Sequence, residues 1–230
     1  GEYEVYANRD SLLYREVYGL DKIPTILRGT IRNRGFCDAW NALIKLGLTD
    51  GSFPILEAQN MTYHSLMEAY LGHYKGRGGS VKERTADFLG EKVDSPVMKK
   101  LEWLGLFRKK KIKMSNATPA LMLEHLLLEK WRLQPGDRDM IIMQHEFEYE
   151  LEGKKRLLKS TLILRGKDQE ETAMSMLVGL PLGIFVKLVM DGRIKTKGVQ
   201  IPVMEEVYRP VLEELQSFGV SFVEKEVEID

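Results

Sequence analysis

Three hydropathy regimes follow one another along the chain. The first is short and mixed: residues 2–6 alternate weakly, which predicts an extended piece before a turn at Asn8. Ser11 is placed to cap a helix over residues 12–18 that Gly19 ends, and β-branched Thr25, Ile26, Thr30 and Ile31 predict a strand over 25–32. After Gly35 apolar residues recur at helical spacing. Helices are predicted over 36–46, stopped by Gly47, then over 61–74 and 81–89. Ser95-Pro96 and Thr118-Pro119 each carry a capping hydroxyl followed by proline at the first helical position. They start helices through Leu104, ended by Gly105, and over 120–131.

After Pro135-Gly136 the period becomes two. Met143, His145, Phe147, Tyr149 and Leu151 fall on one side of a strand, with Gln144, Glu146, Glu148 and Glu150 on the other. Gly153 provides the turn and residues 157–164 the returning strand of a hairpin. Residues 170–190 form an apolar helix ended at Asp191-Gly192. A further helix runs from after Pro202 to Phe218, with Pro210 expected to split it, and residues 220–227 are a last strand. Strands on both sides of a contiguous helical block imply an α/β (α+β) fold. Its sheet domain, residues 1–34 and 136–230, carries an inserted all-helical domain, residues 35–135.

Composition narrows the function. The 230 residues leave ample length for a buried core, and 34 basic against 34 acidic side chains argue against nucleic acid or an anionic membrane recognised by bulk charge. The run Arg108-Lys109-Lys110-Lys111 reads as a solvated helix end. Lone Cys37 excludes an internal disulfide, fits a reducing compartment and so a cytoplasmic location, and reads as a small core thiol. There is no signal peptide, and the opening Gly1 fits a natural protein that extends upstream. Residues 173–190 are nearly all apolar but fall short of the ~20 needed to span a bilayer. With Lys187 inside, they read as a helix buried on most sides of a domain or dimer core.

Metal and nucleotide signatures are missing. His64 and His73 are too far apart to share a helical face, and His125 sits in a Leu-rich helix. His145 lies on the hairpin's apolar side, as a hydrogen-bonded core residue or at a dimer sheet. Glu146, Glu148 and Glu150 read as a solvated strand face or one paired with Lys/Arg of the returning strand. The loop Gly76-Arg77-Gly78-Gly79-Ser80 matches no phosphate-binding fingerprint, so no dinucleotide-binding Rossmann half is legible.

Two arginine clusters stand out: Asn8-Arg9-Asp10-Ser11 and Leu27-Arg28-Gly29-Thr30-Ile31-Arg32. Both lie at element ends among turn residues, where side chains converge. A guanidinium fork binds carboxylate through two parallel hydrogen bonds, so arginines beside Asn, Ser and Thr suit a polycarboxylate ligand. Gly29 would let the backbone approach that ligand closely.

These stretches carry a resemblance. Tyr6-Ala7-Asn8-Arg9-Asp10-Ser11, Tyr14-Arg15-Glu16-Val17-Tyr18-Gly19 and Leu27 through Arg32, closing with Gly35-Phe36, resemble the saccharopine dehydrogenase (glutamate-forming, saccharopine reductase) family. So do Leu101-Glu102-Trp103-Leu104-Gly105-Leu106-Phe107, Asp139 through Glu148, and Val178-Gly179-Leu180-Pro181 through Asp191-Gly192. The match covers only the family's substrate-binding and dimerisation portion. Ala7, where a proline is often seen, is the one departure, and it touches the turn.

The resemblance implies a homodimer and a whole enzyme that interconverts saccharopine with glutamate and aminoadipate semialdehyde. NAD(P) would be bound mainly by an amino-terminal half, with no cofactor in this chain and no activity by it alone. It also implies substrate contacts by Arg9, Thr30, Ile31 and Arg32, with Asn8 and Arg28 as second-tier candidates. No catalytic acid–base residue is legible. Alternatives are a related dehydrogenase of lysine or a carboxylated polyamine, and a free-standing, non-catalytic amino-acid-binding dimerisation module.

Overall fold

The computed structural model of the chain describes residues 2–72, 74 and 78–229, so His73 and the Gly76-Arg77 part of the glycine-rich loop lie outside the described residues. It is a mixed α/β structure of two compact units. One comprises Gly1–Arg9 with Leu27–Arg132, the other Asp10–Ile26 with Leu133–Asp230.

In the first unit, strands β1 (Tyr3–Ala7) and β2 (Gly29–Asn33) pair antiparallel, Tyr3 opposite Asn33 and Ala7 opposite Gly29. They pair with each other and not with the later strands, so the hairpin groups with the helical block and the expected boundary at residue 34 falls inside this unit. The strand expected over 25–32 starts only at Gly29, where a partner becomes available. Helices α2 (Phe36–Lys45), α3 (Tyr63–Tyr70), α4 (Val81–Leu89), α5 (Pro96–Leu104) and α6 (Pro119–Trp131) follow, after α1 (Tyr14–Val17) of the other unit.

Side-chain caps explain why these helices start where they do. Thr62 with Ser65 and Ser80 with Glu83 form reciprocal capping boxes, and Ser95 and Thr118 accept from Met98 and Leu121 ahead of a proline at the start of the helix. The helices bury one continuous core that includes Leu48, Tyr63, Met67, Met98, Leu101, Leu106, Ile112 and Met122. Tyr63 is packed so tightly that burial pushes its phenol up to about 12, while its hydroxyl donates to the Met122 carbonyl at 3.4 Å.

The second unit contains α1, only four residues long. Its N-cap is Leu13 with no side-chain cap bond, and Ser11 contributes its carbonyl to Tyr14 at 3.1 Å, so the helix expected over 12–18 is cut short. Strands β3 (Met140–Leu151), β4 (Lys154–Arg165) and β5 (Val223–Glu228) form an antiparallel sheet in that order. Helices α7 (Ala173–Met190) and α8 (Glu205–Gln216) pack on its Ile141–Leu162–Leu164 end, around Ile184, Leu188, Val207, Val211 and Leu215. Pro210 does not split α8. The missing N–H forfeits one bond near the helix start, while Val207, Val211 and Leu215 hold the helix to the core on both sides of it.

Two burial expectations change here. Only Ala173, Ile184 and Leu188 of α7 are buried, so one face meets the core and the other is open. By length and composition α7 is apolar enough to cross a membrane, at a mean hydropathy of 2.0. Likewise His145 is exposed, its ring 6.1 Å from Phe147 and 5.6 Å from Phe222, because the core helices cover only the base of the hairpin. Glu146 on the opposite strand face pairs with Lys159 at 3.1 Å.

Candidate functional site

The period of two along β1 and β2 decides which residues meet. Glu4, Tyr6 and Asn8 share a side with Thr30 and Arg32, while Val5 and Ile31 point to the other. Asn8 Nδ2 donates to Thr30 Oγ1 at 3.4 Å, and the Asn8 backbone N–H donates to the Arg28 carbonyl at 2.9 Å, closing the hairpin beyond its last pair. Asn8 Oδ1 accepts the Arg9 backbone N–H at 2.7 Å, fixing the chain direction where it leaves the strand. Asn8, Thr30 and Arg32 are therefore brought together on one face, with Arg9 and Arg28 flanking its end and Ile31 behind it.

Gly29 serves a different purpose from the one expected. It lies on the Ile31 side, and a Cβ there would fall 2.3 Å from Val5 Cγ1, so its bareness accommodates Val5.

Arg32 projects over aromatic rings. Its guanidinium carbon is 5.4 Å from the centre of Phe36 and 5.9 Å from that of Tyr6, and one N–H donates to the Ile31 carbonyl at 2.9 Å. The rings form a ladder: Tyr6 on Phe36 at 6.3 Å and Phe36 on Trp40 at 5.6 Å, both nearly parallel. Arg32 and these rings line a cavity of about 430 Å³ together with Cys37, Asn41, Ile44 and Trp131. Phe36, Trp40 and Trp131 also line a second cavity of about 350 Å³ against α5.

Helix α2 is tied to the hairpin by Glu4. Its carboxylate accepts the Gly35 N–H at 3.0 Å and also the Cys37 N–H, and these bonds hold its pKa below the ordinary value. Gly35 enters the helix at φ 79°, and a Cβ there would lie 2.4 Å from Lys100 Nζ, which donates to the Gly35 carbonyl at 3.0 Å. Cys37 is half-buried at the cavity rather than in the core. Burial and the hydrogen bond to Glu4 push its thiol up, which keeps it protonated and a poor nucleophile.

Glu4, Tyr6, Phe36, Trp40 and Trp131 are not among the site residues the sequence predicts, although Tyr6 and Phe36 lie in the stretches that carry the resemblance. Alternation along β1 places Glu4 and Tyr6 beside Asn8, a signal that was there to read. Nothing local links Trp131 to a strand a hundred positions earlier.

His64 and His125 pair with Glu68 and Glu129 one helical turn on, at 3.5 and 3.2 Å. No group of His, Cys, Asp and Glu suited to a metal occurs among the described residues. The described strand pairings are all antiparallel, so the parallel strand–helix–strand unit that cradles a dinucleotide has no counterpart among them.

Comparison with known proteins matches residues 1–220 to the saccharopine dehydrogenase C-terminal domain. The saccharopine dehydrogenase [NADP(+), L-glutamate-forming] of Saccharomyces cerevisiae is 30% identical over 236 residues, covering 96% of this chain and 51% of that protein. The mitochondrial alpha-aminoadipic semialdehyde synthase of Rattus norvegicus is 33% identical over 228 residues, 95% of this chain and 24% of its own length. The solved structure of apo saccharopine dehydrogenase (L-Glu forming) from Saccharomyces cerevisiae superimposes with a TM-score of 0.82 at 29% identity, over 98% of this chain and 52% of that one. The chain thus spans about half the length of the yeast enzyme and about a quarter of the rat one. With the family match running over nearly every residue and the same fold in the yeast enzyme, the chain belongs to the saccharopine dehydrogenase family, as its C-terminal domain.

Proposed function

We propose that this chain is the substrate-holding and dimerising part of an NAD(P)-dependent oxidoreductase that interconverts saccharopine with glutamate and aminoadipate semialdehyde. The observation that carries the reading is the convergence of Asn8, Thr30 and Arg32 on one face of the hairpin, with Arg32 at the cavity. Saccharopine has three carboxylates joined through a secondary amine. Arg32 and Arg9 donate to carboxylates, and the Thr30 hydroxyl, steadied by Asn8, adds a donor roughly 7 Å along the strand from Arg32. Ile31 backs the face, and Arg28 fixes the hairpin end through its carbonyl. The dinucleotide, which takes or gives the hydride, is held mainly by a part of the enzyme outside this chain.

The partner for the open apolar faces is a second copy. Phe147, Tyr149 and Leu151 at the hairpin tip and Val178, Leu182 and Val186 on α7 are exposed together in one unit, which suits a homodimer interface. The ion pair of Lys187 with Glu214 at 2.8 Å favours a protein partner over lipid at α7. Balanced charge gives no footprint for nucleic acid, and lone Cys37 fits a cytoplasmic protein.

Replacing Arg32 by Ala in the full-length enzyme tests the site. Loss of one charge-assisted pair, on the order of 1.5–3 kcal/mol, raises the saccharopine KM and leaves the cofactor KM unchanged. An unaltered saccharopine KM would remove Arg32 from the site. The isolated chain is expected to turn over no NAD(P)H.

A further inference from the structure

We infer that Tyr6 and Phe36 are positioning residues that keep the Arg32 guanidinium, left unpaired by Glu4, correctly aimed for a ligand carboxylate. The inference rests on the reading of Arg32 as a substrate contact and adds how the protein prepares it.

Glu4 stands directly across the ladder from Arg32, on the same face, where opposite charges ordinarily pair. Here the carboxylate turns away to accept the N–H groups of Gly35 and Cys37 at the start of α2. That helix end supplies the donors an anion favours, so Glu4 is satisfied without Arg32. Among the described residues no carboxylate forms an ion pair with Arg32, and its guanidinium makes one hydrogen bond, to the Ile31 carbonyl. An exposed arginine with several free N–H groups would sample many rotamers. Two aromatic rings limit that freedom, because the guanidinium lies within cation–π range of both. Ring faces engage the charge and leave N–H edges open, which is the geometry bidentate carboxylate recognition needs. Trp40 stacked behind Phe36 fixes that ring in turn.

The test is steady-state kinetics of the full-length enzyme with Arg32→Ala, Phe36→Leu, Phe36→Tyr, Tyr6→Leu and the Phe36→Leu/Arg32→Ala pair. Phe36→Leu and Tyr6→Leu are each expected to raise the saccharopine KM about three- to tenfold, with kcat and the cofactor KM within about twofold. Phe36→Tyr, which keeps the ring, restores the parent KM. Phe36→Leu adds no further rise when Arg32 is already Ala, since a positioning residue has nothing left to position. If Arg32→Ala raises KM while the leucine variants do not, or if Phe36→Leu acts as strongly without Arg32, the positioning role is overturned and the carboxylate contact stands. If Arg32→Ala itself leaves KM unchanged, the site reading fails and this inference with it. Thermal melts check folding; should Phe36→Leu not fold, Tyr6→Leu and its pair with Arg32→Ala decide by the same criteria.

Discussion

Asp139 accepts the backbone N–H of Ala173 at 2.6 Å, and its second carboxylate oxygen accepts that of Met174 at 2.9 Å. A residue that opens the hairpin thereby closes the start of the longest helix, which Thr172 also caps through Ser175. The same logic operates in the other unit, where Glu4 from β1 serves the start of α2. In both cases a carboxylate in or next to a strand accepts N–H groups at a helix start.

Asp139→Ala should therefore destabilise the protein by about 1–3 kcal/mol. Asp139→Asn, which keeps an acceptor, should lose less. Urea unfolding checks this, with a lower midpoint and an unchanged slope expected.

Glu4 predicts a pH dependence with a definite sign. Its folded pKa lies below the ordinary 4.5, held there by the N–H groups of Cys37 and Gly35. Its contribution is complete above pH 4.5 and is lost as pH falls from there through the folded value. Glu4→Gln should flatten the fall in stability across that acid window and leave the profile above it parallel to the parent. Chemical unfolding at a series of pH values from about 3 to about 7, spanning the ordinary carboxylate range, reads this directly.

Met98 is fully buried among the helices of the first unit. Met98→Ala removes a large side chain from a packed site and should cost about 2–5 kcal/mol. The thermal midpoint should fall accordingly, with the far-ultraviolet spectrum of the folded state retained.

Leu182 is 65% exposed on α7. On the proposed homodimer, Leu182→Glu should leave the fold intact and shift the protein from dimer to monomer, measured by light scattering during size-exclusion chromatography. A variant that remains dimeric would exclude α7 as the interface, and a monomeric parent would overturn the dimer proposal.

Much of this architecture could be read before the structure. Ser95-Pro96 and Thr118-Pro119 begin helices because hydroxyl caps and N-terminal prolines act locally, within one turn. The β3–β4 hairpin is equally local, its alternation and Gly153 turn needing no distant information. What depended on a partner was harder. Residues 25–28 have strand-forming composition yet lie outside the ladder, which ends at Ala7 opposite Gly29, and Ser11 carries a capping side chain without sitting at the N-cap of α1. Pro210 sits inside a continuous helix because that helix is secured by tertiary contacts that propensity does not contain. Of the candidate donors, Asn8, Thr30 and Arg32 share a strand face through the period of two, which the sequence carries. The ring ladder beneath Arg32 was not legible, since Tyr6, Phe36 and Trp40 meet only once Glu4 has docked the hairpin on α2.

That docking has a dynamic consequence. A two-stranded ladder of five pairs is marginal by itself, so the arginine face persists only while α2 keeps its first turn. Opening of the hairpin and fraying of the helix start become one event, and whatever grips Arg32 from outside suppresses both. Amide hydrogens of Gly35 and Cys37, far in sequence from the hairpin's first strand, would then slow their exchange with solvent when a ligand binds, reporting occupancy from the start of the helix.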